Sequence, residues 1–311
     1  MKKINTMQPA VSIALCTYNG EPYLIEQLES ILNQDYNNIS EIICIDDGSK
    51  DGTIEILKKY ANQHPAFKIF QNKSNLGFIK NYEKAISMAS NPYIAISDQD
   101  DIWYPDKISK LVTTIGNSLM VYSDNEFVDA KGKKMGIRFS DKRNLAVSSS
   151  CLNFALFNVV SGHTTLLRRE LLVHALPFPV NIHYDWWLAF CAAQQNAIQV
   201  VHEPLVGYRQ HLSNAVGGYG VKQDKKDEHK FYIEHETGVR IRFFSETIAP
   251  HLIQEKHILE FLALSYTDRS FKMRIKRTIV FWQNRDNLLL FKKRSKLRKM
   301  FYCFKAFWKY D

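Results

Sequence analysis

Short, continuous apolar runs alternate with segments of helical spacing through the first 125 residues. Val11 to Cys16, Glu41 to Asp46, Phe67 to Gln71, Tyr93 to Ser97 and Leu119 to Ser123 read as strands. Between them, Pro22 to Asn33, Thr53 to Ala61, Phe78 to Ala89 and Pro105 to Ile115 carry apolar residues at helical spacing. Near-continuous apolar strands separated by helices predict a parallel α/β sheet covered on both faces. Further on, Phe127 to Ser150 is polar and rich in Gly and Lys, which predicts a hairpin and a mobile loop. An apolar helix starts at Tyr184-Asp185-Trp186-Trp187, with Asp185 expected as its cap, and Ile198 to His202 predicts a further strand. The Gly217-Gly218 break marks the expected end of a body made of two parts, about 1–125 and 126–217. A basic, helical region is expected over 218–311.

In parallel sheets, ligands bind beyond the C-terminal ends of the strands, so the residues there carry the chemistry. They read Thr17-Tyr18-Asn19-Gly20-Glu21, Asp46-Asp47-Gly48-Ser49 and Asp98-Gln99-Asp100-Asp101. No GxGxxG follows the first strand and no GxxxxGK[ST] occurs anywhere. A dinucleotide oxidoreductase and a P-loop phosphotransferase therefore lose their main support. Asp98-x-Asp100, at the end of a strand, can aim two carboxylates at one point. Such hard oxygen ligands suit Mg²⁺ or Mn²⁺, which would stabilise a diphosphate leaving group. A solvated acidic turn is the competing reading of that tripeptide alone.

Charge changes the picture at the far end. The 311 residues carry a net charge of +9, but Arg269 to Asp311 holds 14 Lys or Arg against Asp286 and Asp311. The rest of the chain is slightly acidic. Leu297, Phe301, Phe304 and Trp308 share one narrow helical face, with Lys299, Lys305 and Lys309 off it. Three readings fit this tail: an anionic membrane surface, a structural cap, or nucleic acid. Five cysteines (Cys16, Cys44, Cys151, Cys191, Cys303) form no CxxC, which argues against a zinc ribbon or a thioredoxin-like motif. Their odd number, an N-terminus without an apolar signal core, and apolar runs all shorter than ~18 residues predict a cytoplasmic protein.

Six segments taken together, VSIALCTYNGEPYL, IICIDDGSKDGT, NLGFIKNYEKAI, ISDQDDIWYPDK, HYDWWLAF and EPLVGYRQHLSN, span Val11 to Asn214. In their order and separations they resemble glycosyltransferase family 2, the inverting nucleotide-sugar transferases. Within that family the chain is most similar to bacterial enzymes of cell-surface polysaccharide synthesis, including a rhamnosyltransferase-like branch. The resemblance implies a GT-A fold, Rossmann-like, with a mostly parallel central sheet flanked by helices and here a basic helical C-terminal extension.

It also implies roles. Thr17, Tyr18 and Asn19 would line a nucleotide pocket, and Asp47 would accept the N3–H of uracil or thymine with Asp46 supporting it. Asn75 and Gly77 would let backbone approach the donor. Asn81 occupies the place where some members carry a base-touching arginine, and its competing reading is a surface helix residue. Asp98 would contact ribose or metal, Asp100 and His211 would hold Mn²⁺ or Mg²⁺, and Arg209 and Ser213 would meet the pyrophosphate. Asp185 would be the base that takes the acceptor hydroxyl proton. Trp186 and Trp187 would offer sugar-stacking surface, one of them being core, and Gly162 and His163 would flank the acceptor cleft. The QxxRW motif of processive members is replaced by Tyr208-Arg209-Gln210-His211, which points to one sugar per encounter.

The expectation is thus a metal-dependent inverting glycosyltransferase on the inner face of a membrane. Its donor would be a UDP- or dTDP-type sugar and its acceptor a glycan or lipid-linked molecule, with no nucleic-acid partner. The alternatives are a nucleotidyltransferase acting on sugar phosphates and a non-catalytic membrane or nucleic-acid-binding module.

Overall fold

The structure, a computed structural model, describes residues 8–195, 197–211, 226–268 and 270–308, with backbone alone for 226–235 and 308. Its strands are β1 (Val11–Thr17), β2 (Ile39–Asp46), β3 (Phe67–Gln71), β4 (Tyr93–Ser97), β5 (Ile102–Trp103), β6 (Met120–Val128), β7 (Lys134–Arg138), β8 (Thr165–Arg168) and β9 (Gln199–Arg209). They form one sheet in the order β3-β2-β1-β4-β8-β6-β9-β5, with β7 paired to β6. The run β3-β2-β1-β4 is parallel, as is β6 with β9. Antiparallel β8 joins the two parts through β4 and β6. This is the mixed α/β sheet with flanking helices of a GT-A fold.

The body helices are α1 (Glu21–Leu32), α2 (Thr53–Gln63), α3 (Phe78–Met88), α4 (Lys107–Ile115), α5 (Leu172–Ala175) and α6 (Tyr184–Gln195). The C-terminal region adds α7 (Lys226–Thr247), α8 (Ile253–Ser265), α9 (Phe271–Gln283), α10 (Arg285–Leu288) and α11 (Lys296–Trp308). Side chains alternate along β1: Ile13 and Leu15 enter one core with Leu24, Leu28 and Leu111, while Ala14 and Cys16 enter the other with Tyr82 and Ile86. The sheet is therefore covered on both faces, as its continuous apolar strands require.

Two strands run past their expected ends for a physical reason. β6 continues through Ser123-Asp124-Asn125-Glu126, a polar stretch that is nonetheless buried. Asp124 accepts from Ser140 N at 3.1 Å and Ser140 Oγ at 2.6 Å. Glu126 is met by Tyr104 Oη at 2.5 Å and Lys134 Nζ at 2.6 Å. Tertiary partners, absent from any local pattern, make these positions strand. β9 likewise extends to Arg209 by pairing with β6 and β5.

The C-terminal helices are not a separate unit in packing terms. Phe244, Leu259, Leu262, Phe281, Leu288, Phe291 and Cys303 share one continuous core with α3 and α6. Phe244 stacks on Phe190 at 3.9 Å between centroids, and Phe291 lies 5.1 Å from Phe154. The expected boundary at Gly217-Gly218 falls outside the described residues. All five cysteines are buried and free, and no helix among the described residues is long and apolar enough to cross a membrane.

Phe291→Ala should destabilise the whole fold by about 3–5 kcal/mol, because a buried aromatic shared by tail and body leaves a cavity. Urea denaturation checks this. A change within about 0.5 kcal/mol, the range of surface substitutions, would mean the tail lies outside the common core.

Candidate active site

The C-terminal ends of β1, β2 and β4, the short 3-10 turn Gly162–Thr164 and the start of α6 surround one cavity of about 620 Å³. Thr17, Tyr18, Asp47, Asn75, Gly77, Asn81, Asp98 and Asp100 line it. Gly162, His163, Asp185 and Trp186 line it as well. Most of the residues singled out from sequence are thus brought to one place.

The β2 end divides its two carboxylates. Asp46 is fully buried, accepting from Thr17 Oγ1 at 3.1 Å, Ser49 N at 3.0 Å and Gly48 N at 3.2 Å. It braces the turn and does not line the cavity. Asp47 accepts from Asn72 Nδ2 (2.7 Å), Leu76 N (2.8 Å) and Gly77 N (3.0 Å). A carboxylate has about four acceptor positions, so Oδ2 of Asp47 keeps one for a ligand donor. Gly77 has φ +81°, a left-handed value that spares the chain strain only as glycine, and this conformation aims its N–H at Asp47. Asn81 is no surface residue: it is buried, donates to Ile45 O at 3.0 Å and accepts from Asn72 at 2.9 Å. Asn19 stands outside the cavity lining. With φ 48° it accepts from Lys50 N at 2.8 Å and holds the two loops together.

The acidic turn after β4 is stabilised from three directions. Asp98 accepts from Tyr82 Oη and meets His163 Nδ1 at 3.3 Å. Burial pushes its carboxyl up, but the bonds from His163 and Tyr82 outweigh this and hold it below the usual carboxylate range. Asp101 is wholly buried, its Oδ1 taking the Arg209 N–H at 3.0 Å and its Oδ2 lying 3.5 Å from His163 Nδ1 without a hydrogen bond. Burial, with the charges of Asp100 and Asp98, pushes that carboxyl up, against the pull of His163. Lys107 Nζ, also buried, donates to His163 O at 2.6 Å and lies 3.2 Å from the Trp103 ring centre. Burial drives its ammonium well down, against Asp101 and Asp98.

The expected metal ligands, Asp98, Asp100 and His211, separate into two sets. Asp98 forms one cluster of potential ligand atoms with Asp101 and His163, neither of which was expected as a ligand. Asp100 Oδ2 and His211 Nε2 form the other, 3.0 Å apart, with His211 stacked on Tyr23 at 4.6 Å. Asp100 and His211 are bonded directly, and an ion held by both would replace that bond, cis ligands of an octahedral ion at about 2.1 Å lying about 3 Å apart. Asp98 and Asp100 line the same cavity.

The geometry places three further expected residues. Arg209 is buried and outside the cavity lining. Its Nε donates to Asp100 O at 2.7 Å, its Nη1 to Ala130 O at 3.1 Å, and it pairs with Glu26. It therefore positions the acidic turn. Trp187 belongs to the core, packed on Phe190 and Phe243 and donating to Ala175 O at 2.7 Å, so Trp186 alone of the pair faces the cavity. Asp185 lies inside the first turn of α6 and is not its cap. Ser213 lies outside the described residues.

Asp185 Oδ1 accepts from Trp186 N at 2.6 Å and from Asn158 Nδ2 at 3.3 Å. Burial pushes its pKa up to about 7; the Trp186 and Gly162 N–H groups oppose this, and the charge of Asp98 adds to it. Gly162 must be glycine here, since a Cβ would stand 2.0 Å from Tyr184 Oη. Sequence reasoning missed Tyr82, which holds Asp98 and stacks on Tyr184 at 4.2 Å. It also missed Lys107 and Tyr23. Tyr82 lies within the quoted NYEKAI segment, one position past Asn81, and that adjacency was the available signal.

Residues 12–173 match the family described as glycosyl transferase family 2. A dTDP-rhamnosyl transferase, RfbG of Shigella flexneri, is 31% identical over 219 residues, covering 65% of this chain and 73% of its own. In fold, the chain is similar to S. aureus TarS 1-349, solved in complex with UDP-GlcNAc (TM-score 0.58, 18% identity, 97% of this chain and 91% of that one). It is also similar to the mannosyltransferase PcManGT from Pyrobaculum calidifontis, solved in complex with GDP-Man and Mn²⁺ (TM-score 0.53, 18% identity, 97% and 86%). With its six motifs gathered around one cavity and more than half of its length matched, the chain belongs to glycosyl transferase family 2.

Proposed function

We propose that this glycosyltransferase is metal-dependent and inverting, moving one sugar per encounter from a UDP- or dTDP-type nucleotide sugar to a glycan or lipid-linked acceptor of the cell surface. The observation that carries the reading is the placing of two unlike carboxylates in one cavity. Asp100, paired with His211, and Asp185, with its pKa raised to about 7, both line it. The first suits a diphosphate with a divalent ion, and the second suits proton removal. RfbG, as a dTDP-rhamnosyl transferase, supports a deoxyhexose donor, and PcManGT supports Mn²⁺.

In the step proposed, the acceptor oxygen attacks the anomeric carbon as the bond from that carbon to the diphosphate oxygen breaks. The nucleoside diphosphate leaves with the electron pair, and the acceptor proton passes to Asp185. Asp100 and His211 would hold Mn²⁺ or Mg²⁺, with Asp98 facing them, and the ion would neutralise the departing diphosphate. Asp47 would accept from the base through its remaining acceptor position. Trp186, under the Arg240 guanidinium at 3.9 Å, would give the acceptor sugar an apolar face. The Tyr208 to His211 sequence in place of QxxRW supports single addition. The basic C-terminal region supports work at an anionic inner membrane face.

Asp185→Asn should bind UDP as the parent does yet lose about 10²–10⁴ in transfer rate, the range for a lost general base. Transfer by the parent should rise with pH through about 7, as Asp185 ionises. A pH–rate profile flat from 6 to 8, or an active Asn variant, would remove Asp185 from the role. A carboxyl whose folded pKa lies above its unfolded value of about 4 binds its proton more tightly in the fold. Its contribution to stability is therefore full below about 4 and falls as pH rises towards about 7. Asp185→Asn should accordingly be no less stable than the parent at pH 8, measured by urea denaturation.

Asp100→Ala should abolish the thermal stabilisation that UDP gives with Mn²⁺ over UDP with EDTA, and His211→Ala should reduce it less. Metal-dependent stabilisation within a few-fold of the parent in Asp100→Ala would overturn the metal assignment. A hydrolysis screen over UDP-, dTDP- and GDP-sugars identifies the donor.

A further inference from the structure

A second cavity, open and of about 600 Å³, lies where α11 meets the catalytic body. Five cations line it: Lys292, Lys293, Arg294, Arg298 and Lys299, with Asn144 from the body and no acid in the lining. Asp286 of α10 acts on Lys299 by its charge. Lys292 is held over the rings of Phe157 and Tyr302 at 4.2 and 4.9 Å, and Lys293 donates to Ser140 O at 2.7 Å.

Gathering five like charges is unfavourable, and here the helix makes it worse. The N-terminal end of a helix carries partial positive charge, which acidic residues normally offset. The first turn of α11 has none and carries Lys296, Arg298 and Lys299 instead. A polyanion in the cavity would relieve both the mutual repulsion of the side chains and the clash with the helix end.

The same helix indicates where that anion comes from. Leu297, Phe301 and Phe304 repeat on successive turns and are 65%, 66% and 55% exposed. The opposite positions, Cys303 and Ala306, are the ones that pack inward. α9 runs antiparallel beside it, with Phe271 meeting Phe307 and Arg277 donating to Ala306 O. It too leaves Phe271, Ile275 and Ile279 exposed at four-residue intervals. Cations beside exposed apolar side chains on one helix match the boundary between lipid phosphates and acyl chains.

We infer that this basic cavity is a binding site for the phosphate groups of anionic membrane lipid, with the exposed side chains of α11 entering the bilayer beside it. The inference rests on the membrane-facing part of the proposed function and not on its transfer chemistry. One loop connects the two cavities: Phe139 lines the reaction cavity, Ser140 accepts from Lys293, and Asn144 lines the basic cavity. Lipid held there is presented at the rim of the site where a lipid-linked acceptor would react.

The test is sedimentation of the full chain with phosphatidylglycerol vesicles and with phosphatidylcholine vesicles. The parent should bind the anionic vesicles at least about tenfold better, and Arg294→Glu/Arg298→Glu should lose at least about tenfold of that binding. Both positions are exposed, so thermal stabilisation by UDP with Mn²⁺ should be unchanged in the double variant. Phe301→Ser, at another exposed position, should keep low-salt binding and lose the part that survives high salt. Equal binding to both vesicles, no binding to either, or parent-like binding by the double variant would overturn the inference. Calorimetric binding of inorganic pyrophosphate that the double variant loses, without vesicle binding, would assign the cavity to a soluble phosphate and overturn the lipid reading. Vesicle binding as expected, without nucleotide binding under any metal, would leave this site standing and defeat the proposed transfer.

Discussion

The fold is organised by the need to give the buried carboxyl groups at the end of β4 polar partners. Asp98, Asp100 and Asp101 follow one another within four residues, and one of them is wholly buried. A carboxyl taken from water without partners costs several kcal/mol, so polar groups must come to it. They arrive from three separate parts of the chain. Lys107 comes from the start of α4, His163 from the 3-10 turn before β8, and Arg209 from the end of β9. Each brings its element against the acidic turn. The same contacts that satisfy these polar groups therefore close the second half of the sheet onto the first and shape the cavity.

This explains which parts of the structure were legible in the sequence. The strands at Phe67–Gln71 and Tyr93–Ser97 follow from local apolar spacing and the structure has them there, and the helices expected over 53–61 and 78–89 run over 53–63 and 78–88. Thr17, Asp47, Gly77 and Asp98 reach the cavity because a parallel sheet delivers all its strand ends to one edge. The polar end of β6 and the antiparallel β8 depend on partners more than ten residues away, such as Ser140 and the edges of β4 and β6. Nothing in a local window carries that information. Arg209 shows the same limit in the site itself. Its residue type suited a pyrophosphate, yet its neighbours Asp100, Ala130 and Glu26 take the guanidinium into the body.

The C-terminal region meets two demands with different faces of the same helices. Phe281, Phe291, Cys303 and Ala306 join the main core, as a structural cap does. Leu297, Phe301 and Phe304 stay outside it, on the narrow face that helical spacing had grouped. The sequence pattern shows that these residues share a face. Only packing decides whether that face turns inward, and it is Cys303 and Ala306, small enough for close approach of α9, that turn in.

Two aspartates of one cavity acquire opposite tendencies without any difference in their own chemistry. Asp98 and Asp185 are each penalised by burial. Around Asp98, the His163 ring and the Tyr82 hydroxyl compensate and keep the carboxylate charged. Around Asp185 the compensation is two backbone N–H groups, which fall short of the penalty, and the charge on Asp98 raises the cost further. The carboxylate held low is thus part of the reason the other sits near neutrality. Environments that push the pKa values of like groups apart divide acid–base roles within a site. In this chain the division follows from where His163 is placed: its ring bonds Asp98 directly, and Asp185 receives only the weaker effect of its charge and the N–H of its neighbour Gly162.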